Sequence, residues 1–170
     1  MVSGSSPSSS VSVQAVSALL VALGSIFALA SAWYFQLVIG LAPCPLCLEQ
    51  RFAYYAGVPV ALLAIVLALS GRWGWARVLL GLLALAMAAN AALAVYHAGV
   101  EWRFWPGPVT CTGVPTVTEN VFEALKGARV PRCDEAPWRL FGISMAGWNA
   151  LIAAGLAVIA GWGAATSRKA

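Results

Sequence analysis

The order of hydrophobic and polar residues divides the 170-residue chain into four long apolar stretches separated by more polar segments. The apolar stretches occupy residues 13–39, 52–69, 76–96 and 143–165. A helix needs about 20 apolar residues to cross the roughly 30 Å hydrocarbon core of a bilayer. The pattern therefore predicts an all-α fold, a membrane four-helix bundle in which each stretch is one transmembrane helix.

The two ends of the chain are more polar than these stretches. We predict a disordered leader at residues 1–12, which are rich in serine, one four-span domain at residues 13–165, and a short tail at residues 166–170. A cleaved signal peptide is not favoured for the first stretch. No Lys or Arg precedes it, and it is longer than the usual apolar core of about 7–15 residues.

The composition excludes an ordinary soluble domain. Hydrophobic residues make up 61% of the chain and charged residues only 9%, against about 25% charged residues in a typical soluble protein. A soluble fold of this size would need far more polar surface to cover its core. A bilayer removes that requirement, so the composition agrees with the four predicted spans.

The distribution of charge predicts how the spans are oriented. The segment between the second and third stretches, the first residues of the third stretch and the C-terminal tail contain no acidic residue, and their basic residues lie close to helix ends: Arg72, Arg77, Arg168 and Lys169. The remaining basic residues and all six acidic residues are spread over residues 40–51 and 97–142. The positive-inside rule then predicts that both termini are cytoplasmic and that the two cysteine-bearing loops face the periplasm of a bacterial cell.

All four cysteines fall on that non-cytoplasmic side. Cys44 and Cys47 form a Cys-x-x-Cys pair, and Cys111 and Cys133 are 22 residues apart in the long loop. A tight pair can close a reducible disulfide and tends to contain a reactive thiolate. Arg51 stands four residues after Cys47, so on a helix it would share a face with Cys47 and favour that thiolate. The alternative for Arg51 is an interfacial residue with its charge in water.

The long loop between the second pair of cysteines carries the pattern of a short helix. A capping-box signature runs from Thr116 to Glu119. Apolar residues then recur at helical spacing before a glycine: Val117, Val121, Leu125 and Gly127. We predict a short amphipathic helix lying on the periplasmic membrane surface.

Two other interpretations of the cysteines remain open. The pair Cys111 and Cys133 can form an inert structural disulfide, although this does not explain the second pair on the same side. Four thiolates can also bind zinc in a tetrahedral site. Structural zinc sites more often use two tight Cys-x-x-Cys pairs, whereas one pair here is wide, so we predict no metal site.

Three segments resemble the DsbB family of disulfide bond formation proteins. They are residues 44–51 (CPLCLEQR), residues 105–111 (WPGPVTC), and Cys133 followed by residues 138–145 (WRLFGISM). The resemblance covers nearly the whole chain after the leader. It includes the family's plan of four spans with one cysteine pair in each non-cytoplasmic loop.

The resemblance implies a relay of thiol–disulfide exchange. A reduced, periplasmic, thioredoxin-like protein of the DsbA type would attack Cys111, and the released Cys133 would pair with Cys44. Cys47 would remain as a thiolate beside a bound quinone, either ubiquinone or menaquinone. Arg51 matches the family's arginine at that site. His97 falls near its histidine, with a simple hydrogen-bonded interfacial histidine as the alternative.

These expectations define an enzyme, an inner-membrane protein thiol–quinone oxidoreductase that reoxidises its DsbA-type partner and so supports disulfide bond formation. Within the enzyme class, the alternative is a quinone reductase like vitamin K epoxide reductase, whose Cys-x-x-Cys pair comes later in the chain. A carrier of thiol reductant would need cysteines inside the spans, and there are none. From another class, the alternative is a structural or transport membrane protein with inert disulfides.

Overall fold

A computed structural model describes residues 12–108, residue 111 and residues 132–166 of the chain. Its long elements are four α helices, α1 (Val13–Leu37), α2 (Pro45–Leu69), α3 (Trp73–Glu101) and α4 (Met145–Ala165). Each helix is long and apolar enough to cross a membrane, with a mean hydropathy between 1.5 and 2.3. The predicted all-α four-helix architecture is confirmed. The amphipathic helix predicted near residues 116–127, nearly all of the leader and most of the tail lie outside the described residues.

A two-residue hairpin comes immediately before α4. Strand β1 (Arg139–Leu140) pairs antiparallel with β2 (Ile143–Ser144). The two turn residues, Phe141 and Gly142, both have positive φ angles, 51° and 80°, which is typical of a type I′ turn. The indole of Trp148 donates a hydrogen bond to the Leu140 carbonyl, at 3.2 Å. This contact ties the hairpin to the first turn of α4.

The helix ends differ from the ends of the apolar stretches. Helix α2 begins before the apolar stretch of residues 52–69, as the shared helix face of Cys47 and Arg51 requires. Pro45 occupies its first turn, and the Cys44 side chain caps it by accepting a hydrogen bond from the Cys47 N–H at 3.1 Å. The third helix continues past residue 96 to Glu101. His97, which we expected in the loop, therefore lies inside α3.

Two helices end in the same backbone motif. After α2, Gly71 has a positive φ, and the Arg72 N–H donates to the Leu67 carbonyl at 2.9 Å. After α3, Arg103 has φ 60°, and the Phe104 N–H donates to the Gly99 carbonyl at 2.9 Å. Both are Schellman endings, in which the chain reverses directly after the helix. The second reversal directs the chain towards Cys111.

Each helix packs against its two neighbours in the order α1, α2, α3, α4, and α4 closes the ring against α1. Small side chains from all four helices fill the centre of the bundle, among them Ala18, Ala61, Ala64 and Ala160 around the larger Leu80. Because lipid is as apolar as leucine, close packing of small residues replaces the hydrophobic driving force between membrane helices. Large apolar side chains instead cover the outside, where a bilayer would contact them.

The two ends of the bundle carry different groups. At the end where α1 begins and α4 ends, Gln14 donates a hydrogen bond to the Thr166 carbonyl at 2.7 Å, and Arg77 donates to the Ala164 carbonyl at 2.8 Å. These contacts satisfy carbonyls at the C-terminus of α4. The opposite end, which we call the cysteine end, holds the hairpin and all four cysteines.

Candidate redox site

The four cysteines form two disulfides, Cys44–Cys47 and Cys111–Cys133, with Cα–Cα distances of 5.0 and 5.1 Å. The first pair sits on the start of α2, because Cys44 is the N-cap and Cys47 lies in the first turn. The second pair is held by the backbone. The Cys111 N–H donates to the Pro108 carbonyl at 2.8 Å, and the Cys133 N–H donates to the Cys111 carbonyl at 3.4 Å.

Both disulfides belong to one buried cluster. Cys44, Cys111 and Cys133 are 4%, 2% and 0% exposed, and they pack with the side chains of Leu46 and Val100. Cys47 is partly buried and packs against the same cluster. The structure therefore brings the two cysteine pairs together, as the sequence predicted from their position in two loops of one side.

A cavity of about 830 Å³ opens beside the first disulfide, between the helices at the cysteine end. Cys44, Cys47, Arg51 and His97 line it, so the structure brings four of the six predicted site residues to one cavity. Aromatic and apolar side chains form other parts of its wall: Phe35, Trp138, Met145 and Trp148. Its size and mixed lining are those of a small-molecule site.

Arg51 is fixed on α1 as well as on its own helix. Its guanidinium donates to the Gln36 side-chain oxygen at 2.7 Å and to the Ala32 carbonyl at 3.4 Å, and it lies 5.7 Å from the centre of the Trp33 ring. Among the described residues, both ion pairs are formed by Arg132. Within that part of the chain, Arg51 therefore has no carboxylate partner. A fixed positive charge therefore borders the cavity that Cys47 also lines.

His97 is the end of a chain of side-chain hydrogen bonds that is buried at His97 and partly buried at Asn149. Its Nε2 lies 3.6 Å from Cys44 Sγ, and its Nδ1 lies 3.1 Å from Gln50 Nε2. Asn149 Nδ2 donates to Gln50 Oε1 at 2.6 Å, and the Tyr54 hydroxyl donates to Asn149 Oδ1 at 2.5 Å. We call these four side chains, Tyr54, Asn149, Gln50 and His97, the amide relay. It connects α2, α4 and α3 with the first disulfide.

Glu101 is a buried acid that the sequence did not single out. Its side chain lines the cavity, the residue is only 8% exposed, and Oε2 has no hydrogen-bond partner within the part of the chain that the structure describes. The Ser144 hydroxyl and the Arg139 guanidinium are the groups that interact with this carboxyl group. A buried carboxyl oxygen without a hydrogen-bond partner destabilises the folded protein, so its presence needs an explanation. A functional role is one such explanation, and Glu101 is therefore a candidate functional residue.

A second, smaller pocket of about 340 Å³ opens on the surface next to Cys111. Phe104, Trp105, Arg103 and Asp134 also line it. Arg132 donates two hydrogen bonds to Asp134, at 2.9 and 2.7 Å, and these bonds lower the pKa of Asp134 below its usual value. The second disulfide therefore borders a surface pocket, and the first borders the internal cavity.

The donor atoms of Cys44, Cys47 and His97 lie within 4.8 Å of one another, which is close enough for a metal ion. Zinc binds cysteine as the thiolate. The two sulfurs are bonded to each other here, so this group offers no thiolate in its oxidised form. Metal binding would require reduction first and would compete with disulfide exchange.

Sequence reasoning found the four cysteines, Arg51 and His97 through motifs and resemblance. It missed three members of the amide relay and Glu101. The available signal was weak: Gln50 and Asn149 are polar residues close to the ends of long apolar stretches. Nothing in the sequence indicated that they contact each other across the bundle.

Comparison with known proteins assigns the chain to a family. The family model for the disulfide bond formation protein DsbB matches residues 14–163. Disulfide bond formation protein B of Marinobacter nauticus is 38% identical over 134 residues, which cover 72% of this chain and 75% of the relative. The protein of the same name from Stutzerimonas stutzeri is 33% identical over 82% of this chain and 88% of its own length. No solved structure matches the chain significantly. With four membrane-spanning helices and two cysteine pairs at one end, the chain belongs to the DsbB family of membrane proteins for disulfide bond formation.

Proposed function

We propose that this protein is an inner-membrane thiol–quinone oxidoreductase that reoxidises a periplasmic, thioredoxin-like partner of the DsbA type. In this proposal both termini are cytoplasmic and both cysteine pairs face the periplasm. One observation carries the proposal. The two disulfides share a single buried cluster, with a surface pocket on the side of Cys111 and an internal cavity on the side of Cys44 and Cys47.

The first half of the reaction is an exchange of disulfides. A thiolate of the partner attacks Cys111, and Cys133 is released. Cys133 then attacks Cys44, so that the Cys44–Cys133 bond forms and the Cys44–Cys47 bond breaks. Each step makes one disulfide and breaks one, so no electrons leave the thiols. Cys47 is left as a thiolate at the cavity, near the fixed charge of Arg51.

The cavity suits a quinone head group. Its volume of about 830 Å³ lies within the usual range for small-molecule sites, roughly 300–1,000 Å³. Its wall offers aromatic side chains for the ring, Arg51 as a donor for a carbonyl oxygen, and the His97 imidazole as a further contact. A bound ubiquinone or menaquinone would supply the two-electron acceptor that thiol exchange lacks.

Reduction of a quinone to a quinol also requires two protons. Glu101 lines the same cavity, and in its protonated form it would hold a proton at the unpaired Oε2. Arg139, which interacts with Glu101 from the hairpin, lies on an exposed part of the surface. In this proposal Glu101 gives up a proton to the cavity and regains one from water on the side of Arg139.

The proposal predicts that the purified protein transfers electrons from a reduced DsbA-type protein to a soluble ubiquinone or menaquinone analogue. Turnover is measured by the loss of quinone absorbance. Cys47→Ser removes the thiolate at the cavity and should abolish turnover. Ser70→Ala, a small change at the opposite end of the bundle, should leave it unchanged. Normal turnover by Cys47→Ser would contradict the mechanism. A wild-type protein that passes no electrons to either quinone would favour the inert-disulfide alternative.

A further inference from the structure

The amide relay links the position of the proton on His97 to the orientation of the Gln50 and Asn149 amides. In a neutral imidazole, one ring nitrogen donates a hydrogen bond and the other accepts one. Two arrangements satisfy the relay. Either the Gln50 amide donates to Nδ1, or both amides are turned round and Gln50 accepts from Nδ1–H. The two arrangements place the proton on opposite sides of the ring.

The disulfide distinguishes between these two arrangements. A sulfur atom in a disulfide has no hydrogen, so Cys44 Sγ can only accept a hydrogen bond. The contact of 3.6 Å between Cys44 Sγ and His97 Nε2 is a hydrogen bond only if Nε2 carries the proton. Nδ1 is then the acceptor, and the Gln50 amide donates to it at 3.1 Å. Asn149 fixes the Gln50 amide in that orientation by donating to its oxygen.

From this geometry we propose that Gln50 and Asn149 are positioning residues that hold His97 in its Nε2–H tautomer, so that His97 stabilises Cys44 as a thiolate. The Cys47 N–H donates to the same sulfur at 3.1 Å. Cys44 therefore has two donors in place before it carries charge. Hydrogen bonds to a charged sulfur are stronger than bonds to a neutral one.

This thiolate forms when the second disulfide is restored, a step that rests on the proposed function. The second thiolate of the partner attacks the mixed disulfide, so the partner leaves oxidised and Cys111 is freed as a thiolate. The Cys111 thiolate then attacks Cys133 in the Cys44–Cys133 disulfide. The Cys111–Cys133 bond forms, the Cys44–Cys133 bond breaks, and Cys44 leaves with the electron pair. A more stable leaving thiolate makes such an exchange faster. The amide relay thus acts on the step that releases Cys44 from its disulfide with Cys133.

Other groups around Cys44 also influence its charge. The titratable and charged groups nearby are Cys47, Arg51 and Tyr54 on α2, His97 and Glu101 on α3, and Cys111, Cys133, Arg132 and Glu135 in the loop. Helices α1 and α4 contribute no charged side chain. Only His97 has a side chain within hydrogen-bonding distance of Cys44 Sγ among the described residues. A change in the amide relay should therefore reach Cys44 through His97.

The first test uses the fact that His97 is the only histidine in the chain. Protein labelled with ¹⁵N-histidine, oxidised and held in detergent micelles, gives a single imidazole spectrum. We expect a neutral ring with the proton on Nε2. Gln50→Glu replaces the donor by a carboxylate, which accepts only, so the proton should move to Nδ1 or both nitrogens should be protonated.

Two further variants make this test decisive. Glu49→Gln changes the exposed neighbour of Gln50 and should leave the imidazole spectrum unchanged. Asn149→Asp cannot donate to Gln50, so it should mix the two tautomers even if Gln50→Glu does not fold. A proton on Nδ1 in the wild-type protein, or the wild-type spectrum in both relay variants, would overturn the proposal.

The second test measures Cys44 directly in reduced protein without quinone. The rate of alkylation at each cysteine is followed against pH by mass spectrometry. Loss of one hydrogen bond to a thiolate should slow the alkylation of Cys44 at neutral pH about tenfold in Gln50→Leu and His97→Phe, and should move its pH midpoint upwards. Cys111 serves as the internal control.

Unchanged alkylation of Cys44 would remove the amide relay from the mechanism, whatever the protein does with quinone. Conversely, a protein that fails to reduce quinone can still show the tautomer and the alkylation pattern. The two proposals therefore fail separately.

Discussion

Cys44 and Cys47 lie in different surroundings although only two residues separate them. Cys44 is buried in the cluster of both disulfides and accepts hydrogen bonds from the Cys47 N–H and His97. Cys47 is more exposed and borders the cavity that Arg51 also lines. At the scale of residues, Cys44 is therefore suited to exchange with the second disulfide, and Cys47 to chemistry in the cavity.

Replacement of Arg51 tests the part that its charge takes in the cavity. Arg51→Ala removes a fixed donor and should raise the apparent Michaelis constant for quinone by about tenfold, which is the worth of one hydrogen bond from a charged group. Arg51→Lys keeps the charge but cannot make the same forked contacts with α1, so it should give an intermediate value. An unchanged constant in Arg51→Ala would exclude Arg51 from the quinone site.

Glu101 permits a matched comparison with a second acid of the same cavity. Glu101→Gln cannot deliver a proton and should slow quinone reduction, while disulfide exchange with the partner continues at its normal rate. Glu135 also lines the cavity, but its side chain is 67% exposed, so Glu135→Gln should have little effect. Equal loss of turnover in both variants would show that charge in general, and not the buried acid, is responsible.

The sequence predicted the residues that form motifs but not those that depend on how helices face one another. The cysteine spacing and the position of Arg51 are local features, so they were accessible without the fold. Gln50 and Asn149 meet only because α2 and α4 are rotated towards each other at the cysteine end. Helices that are apolar on all sides carry no pattern that gives this rotation.

At the scale of elements, small residues decide how closely the helices approach. A Cβ atom added at Gly163 would lie 2.6 Å from the Ser17 Cβ, whereas one at Gly155 of the same helix would meet nothing within 4 Å. Gly163 is therefore required for contact between α4 and α1, and Gly155 is not.

These two glycines give a matched pair of variants. Alanine is favoured over glycine in a helix by about 1 kcal/mol, and both substitutions share this gain. Gly163→Ala must also push α1 and α4 apart, at a cost of about 1–3 kcal/mol. Thermal unfolding in detergent, followed by circular dichroism, should therefore give a lower midpoint for Gly163→Ala than for Gly155→Ala. The reverse order would show that these helices are not in close contact.

The number and order of the helices followed from the apolar stretches, but two helix ends did not. α2 begins in the polar residues before its stretch, and α3 continues through His97 to Glu101. Hydropathy measures where lipid contacts a helix. Capping by Cys44 determines where α2 begins, and the Schellman motif determines where α3 ends.

At the scale of the whole molecule, the residues of the candidate redox site lie at one end of the bundle. The four cysteines, the amide relay and the hairpin lie there, whereas the other end holds the α2–α3 turn and the contacts around Gln14. This separation agrees with the orientation expected from the basic residues. The orientation itself stays a prediction.

Labelling of intact cells lacking the outer membrane tests that orientation. In a variant without the native cysteines, Phe141→Cys introduces a thiol at the hairpin turn, where the residue is 89% exposed. It should react with a membrane-impermeant maleimide added from outside. Ser70→Cys, in the turn after α2, should react only after the membrane is broken. The opposite result would place the cysteine end in the cytoplasm.

Burial of the sulfur atoms protects the two disulfides from reduction by small thiols. Three of the four sulfurs belong to residues that are 4% exposed or less. Thiol exchange requires a straight approach to sulfur, so small thiols that collide at random find little to attack. We expect that a partner protein bound at the surface pocket beside Cys111 reaches the sulfur where a small thiol does not. The bundle therefore shields its disulfides from small thiols, so that they are not reduced without transfer to a partner protein.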